Sequence, residues 1–179
     1  MKTHRFVIGI VVALALSAVL AGGCQRKERA GEHYSKEEKF SIILPASWTP
    51  RPGEGMEGIF FCPVEQQSED FAENLVVSVD TFSRRTSLED YVNACEQAFR
   101  QGKKLRAYRK VSGSDFAMDN VKGRRLVCTY SVDGQEVQAA LYITVKGTRG
   151  YVVIGTATPE SFSKFEATFD ECARTFRAE

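Results

Sequence analysis

The sequence predicts an α+β fold: a mostly antiparallel sheet of about seven strands covered by two main helices. Three observations predict it. Seven segments between residues 40 and 157 have the length and the apolar or alternating pattern of strands. Two segments, 86–102 and 158–176, carry apolar stripes at helical spacing. The order of three strands, a helix, four strands and a helix suits neighbouring strands paired antiparallel, with helices packed over the sheet.

The first strand lies in "KFSIILPASW", where Phe40, Ile42 and Leu44 alternate with Ser41 and Ile43 until Pro45 ends the run. "MEGIFFCPV" supplies the second. A ten-residue acidic loop, "EQQSEDFAEN", leads to "LVVSVDTF", whose valines point to both faces and so place it centrally. In "TSLEDYVNACEQAFRQG", Ser87 and Asp90 form a capping-box pattern. Leu88, Tyr91, Val92, Cys95 and Phe99 make one stripe, and Gly102 closes the helix. The next four strands are "YRKVSGSDFAM", "KGRRLVCTYSV", "QEVQAALYITV" and "GYVVIGTA", with Asp133-Gly134 as a two-residue hairpin between the second and third of them. The last helix takes Thr158 as cap and Pro159 at its first position. Phe162, Phe165, Phe169, Cys172, Ala173 and Phe176 form its buried stripe.

Ahead of this domain stand Lys2 and Arg5, then seventeen uncharged residues from Phe6 to Gly22. That is the pattern of a secretion signal. Leu20-Ala21-Gly22-Gly23-Cys24 resembles the lipobox of bacterial lipoproteins, with the leucine four residues before the cysteine rather than the usual three. The resemblance implies cleavage after residue 23 and a lipidated Cys24. An ordinary cleaved signal and an uncleaved membrane anchor remain the alternatives. Lipid chains in combination hold a protein stably on a bilayer. By resemblance to the sorting rule of enteric bacteria, Gln25 directs the protein to the outer membrane, facing the periplasm. Residues 24–38 are charged and nearly free of aliphatics, and read as a flexible tether of roughly 20 Å reach. Residues 39–179 form the single domain.

Residues 1–23 hold two of the 24 basic residues and none of the 23 acidic ones, so the rest of the chain is near neutral. That argues against a nucleic-acid partner. His4 falls in the signal and His33 in the tether, so the domain has no histidine. Ser-His-Asp and Cys-His catalysis and most zinc or copper sites are thereby removed, and no cofactor or metal is expected. Glu69 and Asp70 read as solvated loop acids, Asp115 and Asp119 as turn residues, and Gly113, Gly123, Gly147 and Gly150 as turns without phosphate-loop spacing. Arg100, Lys103, Lys104, Arg106, Arg109 and Lys110 cluster around the end of the first helix. They complement a helix C-terminus, or they form a docking patch for an anionic partner or lipid headgroups. Cys62, Cys95, Cys128 and Cys172 all lie in apolar runs with no C-x-x-C among them. A structural disulfide, inert core thiols and redox chemistry are all compatible with that placement.

"FSIILPASW", "NLVVSVDTF…SLEDYV" and "GYVVIGTATPESFSKFEATFDECARTF" resemble the PsbP-like superfamily, which includes the DcrB-like lipoproteins, over nearly all of residues 39–177. The resemblance implies a seven-stranded antiparallel sheet with helices packed on it, a role in binding other proteins, and no shared catalytic residues. The metal sites of some plant members find no match here. The implied strand order separates Cys62 from Cys128. Cys95 and Cys172, the expected pair if any bridge exists, can join only if both helices cover the same face of the sheet. The resulting expectation is a lipid-anchored, non-enzymatic periplasmic protein that binds another envelope protein. The alternatives are a small-ligand-binding lipoprotein and a thiol-dependent or otherwise cryptic enzyme.

Overall fold

The computed structural model describes residues 29–53, 56–68, 71–102 and 105–179. In chain order its elements are β1 (Glu32–Ser35), β2 (Phe40–Ile43), β3 (Thr49–Gly53), β4 (Met56–Phe61), β5 (Asn74–Thr81), α1 (Leu88–Gln101), β6 (Leu105–Met118), β7 (Val121–Val132), β8 (Gln135–Lys146), β9 (Arg149–Ala157), α2 (Phe162–Arg174) and β10 (Arg177–Ala178). Seven strands pair antiparallel in the order β3-β4-β5-β9-β8-β7-β6, and a small second sheet has the order β1-β2-β10. The expected α+β class and seven-stranded antiparallel sheet are present, with one exchange of membership. The strand foreseen at Phe40 belongs to the small sheet. Its place in the large one is taken by β3, whose "TPRPG" has no alternation and is tolerated because an edge strand can hold proline.

Alternation along the central strands builds two cores. Val137, Ala139, Leu141 and Ile143 of β8 join Tyr91, Val92 and Cys95 of α1 on one face. Ala140 and Tyr142 join Phe162, Phe165 and Phe169 of α2, with Phe40 and Ile42 of β2, on the other. The helices therefore cover opposite faces of the sheet. Two glycines of β9 admit them: a Cβ at Gly150 would run into the Tyr91 ring, and one at Gly155 into the Phe169 ring.

Several local expectations change. Residues 29–38 are folded onto the domain rather than forming a tether. β1 pairs with β2, and Arg29 binds Glu32, Ser41 and the carbonyl of Thr175. Cys24 and the rest of the expected tether, 25–28, lie outside the described residues, as does the signal segment. The domain accordingly contains a histidine, His33 on β1. Asp133-Gly134 is the foreseen two-residue turn, with φ of 52° and 88°. Asp119-Asn120 makes another between β6 and β7, at φ 41° and 69°. Gly147 is in a turn, but Gly113, Gly123 and Gly150 sit within strands, and Asp115 lies within β6. Gly102 ends α1 without adopting the left-handed region. Thr158 accepts from the N–H of Ser161 in a turn ahead of α2, and the helix itself starts at Phe162.

Candidate functional site

Helix α1 is fixed at both ends, and a groove lies under its middle. At its start, Ser87 accepts from the Asp90 N–H at 3.0 Å and donates to the Asp90 carboxylate at 2.7 Å, the foreseen capping pair. One turn on, Tyr91 donates to Asp80 Oδ2 at 2.7 Å and sets its ring edge-on to Phe82. Toward the other end, Phe99 packs against Tyr130 and Tyr108, and Glu96 receives Arg100 at 2.8 Å and Lys110 at 2.9 Å. Those two donors hold the Glu96 carboxyl below its ordinary pKa, against a smaller opposing effect of burial.

Between these anchor points, α1 and the β6–β7 hairpin enclose a groove of about 410 Å³. Leu88, Val92, Gly113 and Leu126 form its apolar floor. Glu89, Asn93 and Glu96 line one lip, and Lys110, Lys122 and Arg124 the other. Arg124 pairs with Asp115 at 2.8 Å. Lys122 makes no side-chain ion pair or hydrogen bond with any described residue, while Lys110 is engaged by Glu96 and Arg124 by Asp115.

The six basic residues expected to form one patch do not come together. Arg100 and Lys110 meet at Glu96 on the α1 face. Arg106 and Arg109 stand opposite Ser131 and Thr129 in register, which puts them on the α2 face, where Arg109 lines a separate recess with Thr129, Gln138 and Pro159. The sheet divides the cluster because adjacent residues along a strand point to opposite sides. Lys103 and Lys104 lie outside the described residues, as do Glu69 and Asp70. The residues that complete the α1-face lip, Lys122 and Arg124, were legible in "KGRRLVCTYSV": they share a period of two with Leu126 and Cys128 and must share their face.

Among the described residues the four cysteines, Cys62, Cys95, Cys128 and Cys172, are free and buried. Cys95 and Cys128 belong to the α1-side core and Cys62 and Cys172 to the α2-side core. A Cys95–Cys172 bridge would have to pass through the sheet, so the pairing expected from the family resemblance is corrected. Burial pushes the Cys62 thiol up to about 11, with the Glu73 carboxylate adding to it. Burial likewise raises Cys95, Cys128 and Cys172 to about 12. Thiols held in this state are poor nucleophiles at neutral pH. Among the described residues, no group of three or more His, Cys, Asp or Glu is placed to hold a metal ion, and no helix is long and apolar enough to cross a membrane.

One buried charge was missed from sequence. Glu73, in the loop read as solvated acid, is fully buried. It accepts from the Ser68 N–H at 2.9 Å, from the Ser68 hydroxyl, and from Ser161 Oγ at 2.6 Å at the start of α2.

The chain matches no protein-family model and no curated protein sequence. Solved structures do match. The cyanobacterial PsbP of Synechocystis sp. PCC 6803 aligns over 89% of this chain and 99% of its own, with a TM-score of 0.59 and 12% identity. The fold is PsbP-like. A Pseudomonas aeruginosa protein of unknown function shares the PsbP-like fold at a TM-score of 0.58 and 18% identity, over 82% of this chain and 95% of its own. LpqN of Mycobacterium tuberculosis, described as involved in cell envelope biogenesis, shares it at 0.57 and 10% identity, over 76% and 81%.

Proposed function

We propose that the protein is a lipid-anchored binding protein of the bacterial cell envelope, held through Cys24 at the outer membrane and facing the periplasm, where its PsbP-like domain docks another envelope protein. The groove between α1 and the β6–β7 hairpin carries the binding half of this reading: it is concave, apolar at its floor and charged at its lips, the arrangement that combines contact area with orientation. The anchor rests on the Leu20 to Cys24 pattern, and the outer-membrane assignment on Gln25. The shared fold with LpqN supports an envelope setting. The role is non-enzymatic, and the burial that keeps all four thiols protonated supports it over the thiol-dependent alternative.

Two measurements in the native host test the two halves. Radiolabelled palmitate should enter the wild-type chain and not Cys24→Ala, which should accumulate in a larger, unprocessed form; label in the variant overturns the anchor. A photo-crosslinker at Asn93, exposed on the groove lip, should give a discrete heavier adduct that one at Glu171, exposed on α2, does not. Equal yields at both positions, or none at Asn93, overturn the docking role.

A further inference from the structure

The sheet ends at β6, and the two halves of that strand are built differently. From Leu105 to Val111 the register with β7 breaks twice, Ala107 is in the left-handed region at φ 53°, and Arg106, Arg109 and Lys110 project from it. Bulges and cations of this kind are what sheet edges use to repel an added strand. From Ser112 to Met118 the register is unbroken, the side chains of "SGSDFAM" are mostly small, and Asp115 is the single charge. Seven regular residues match the length of an ordinary strand. No described strand pairs with the outer edge of this half.

The small residues also open the way to what lies behind them. Gly113 pairs with Leu126, on the apolar floor of the groove, and Ala117 pairs with Lys122, whose ammonium has no partner among the described residues. Gly113, Asp115 and Ala117 all point to the α1 face, since their partners Leu126, Arg124 and Lys122 do. A side chain on a strand added outside β6 could therefore reach across position 113 to Leu126, Val92 and Leu88. Another, four residues along, could reach across position 117 to Lys122.

We propose that the outer edge of β6 from Ser112 to Met118 accepts an extended peptide from a protein partner, which seats an apolar side chain in the groove beside Gly113 and an acidic side chain, four residues away, against Lys122. Backbone hydrogen bonds along the edge supply affinity and the two side-chain positions supply selectivity. This deepens the docking role proposed above and rests on it.

The test uses the purified full-length chain in detergent and a fluorescein-labelled peptide of about nine residues, alternating threonine and valine, with one leucine and, four positions on, one glutamate. Fluorescence anisotropy should show saturable binding, and exchanging the glutamate for lysine should abolish it. Gly113→Leu fills the approach to the floor, its Cβ coming tightest to the movable end of Leu126 at 3.1 Å, with Lys110 Cε at 3.5 Å and the Arg125 carbonyl at 3.8 Å in ordinary contact. Lys122→Glu reverses the exposed charge. Each should weaken binding by about tenfold, and amide exchange should slow on binding across 112–118. Should Gly113→Leu lower the unfolding temperature, the surface variants Lys122→Glu and Ala117→Lys decide. No binding, binding indifferent to these substitutions, or protection at β3 overturns the inference. So does sedimentation showing that the chain alone dimerises in a manner abolished by Ala117→Lys, which would make a second copy the occupant. Crosslinks at Asn93 that persist while the peptide fails would leave the docking role standing and remove only the edge.

Discussion

A buried carboxylate is stable only when donors replace the water it has lost, and Glu73 has three of them. Burial alone would raise its pKa, but the hydrogen bonds from Ser161 and Ser68 outweigh that and hold it below the ordinary 4.5. The charge sits at the first turn of α2, where Ser161 spends its hydroxyl on Glu73 rather than on capping the helix. Glu73→Ala would leave those donors without an acceptor and should cost roughly 1–3 kcal/mol. The folded carboxyl releases its proton at lower pH than the unfolded one, so its contribution is complete above 4.5 and is lost as pH falls through the folded value. Urea midpoints measured from pH 7 down to pH 3 should drop less steeply in Glu73→Gln than in the wild type. Parallel curves would show that this group is not linked to folding. Nothing in "EQQSEDFAEN" distinguished Glu73 from its acidic neighbours, because its partners are brought by a turn five residues back and a helix 88 residues on.

At the scale of the element, β1 illustrates what composition hides. Its "EHYS" reads as tether because stability by composition counts aliphatic residues in a local window. The strand is held instead by contacts from distant parts of the chain. Arg29 reaches Thr175, and the His33 ring stands edge-on to Phe60 at 4.9 Å and near Phe40 at 6.0 Å. Glu32 feels burial, which raises its pKa, yet the backbone and side chain of Arg29, with Ser41, bring it down to about 2. By contrast, the long central strands and both helices were readable, because alternation and stripe period are local properties of the sequence. His33 makes β1 sensitive to acid. Its Nε2 is buried without a hydrogen-bond partner among the described residues, and burial lowers its pKa below 6.5. The unfolded imidazole therefore binds a proton first, and the strand loses stability as pH falls below 6.5 toward the folded value. Hydrogen-exchange protection of residues 32–35 should be lower at about pH 5.5 than at about pH 7.5 in the wild type, and nearly equal at the two in His33→Phe. Equal protection in the wild type would show that the ring does not control the strand.

For the molecule as a whole, the placement of the helices on opposite faces was the main thing the sequence did not disclose. Both stripes are equally apolar, and neither says which side of the sheet it will cover. The deciding features are Gly150 and Gly155 on β9, five residues apart and hence on opposite faces, one seating Tyr91 and the other Phe169. The same division keeps Cys95 from Cys172. Peptide mapping without reduction should find no Cys95–Cys172 link, and thiol titration should find four groups slow to react until the protein is unfolded. A Cys95–Cys172 peptide would contradict the layer order. The small sheet adds a property of another kind. Both ends of the described chain meet there, β1 and β10 flanking β2. Tension applied at the N-terminal end is thus borne first by four residue pairs of β1 with β2, by the Arg29 contacts with Glu32 and Thr175, and by the His33 ring against Phe60 of β4. The outer strand β1 is a mechanical fuse: under a pull it can peel away and lengthen the connection, while Phe40 and Ile42 of β2 stay packed in the α2-side core and the groove at β6 keeps its shape.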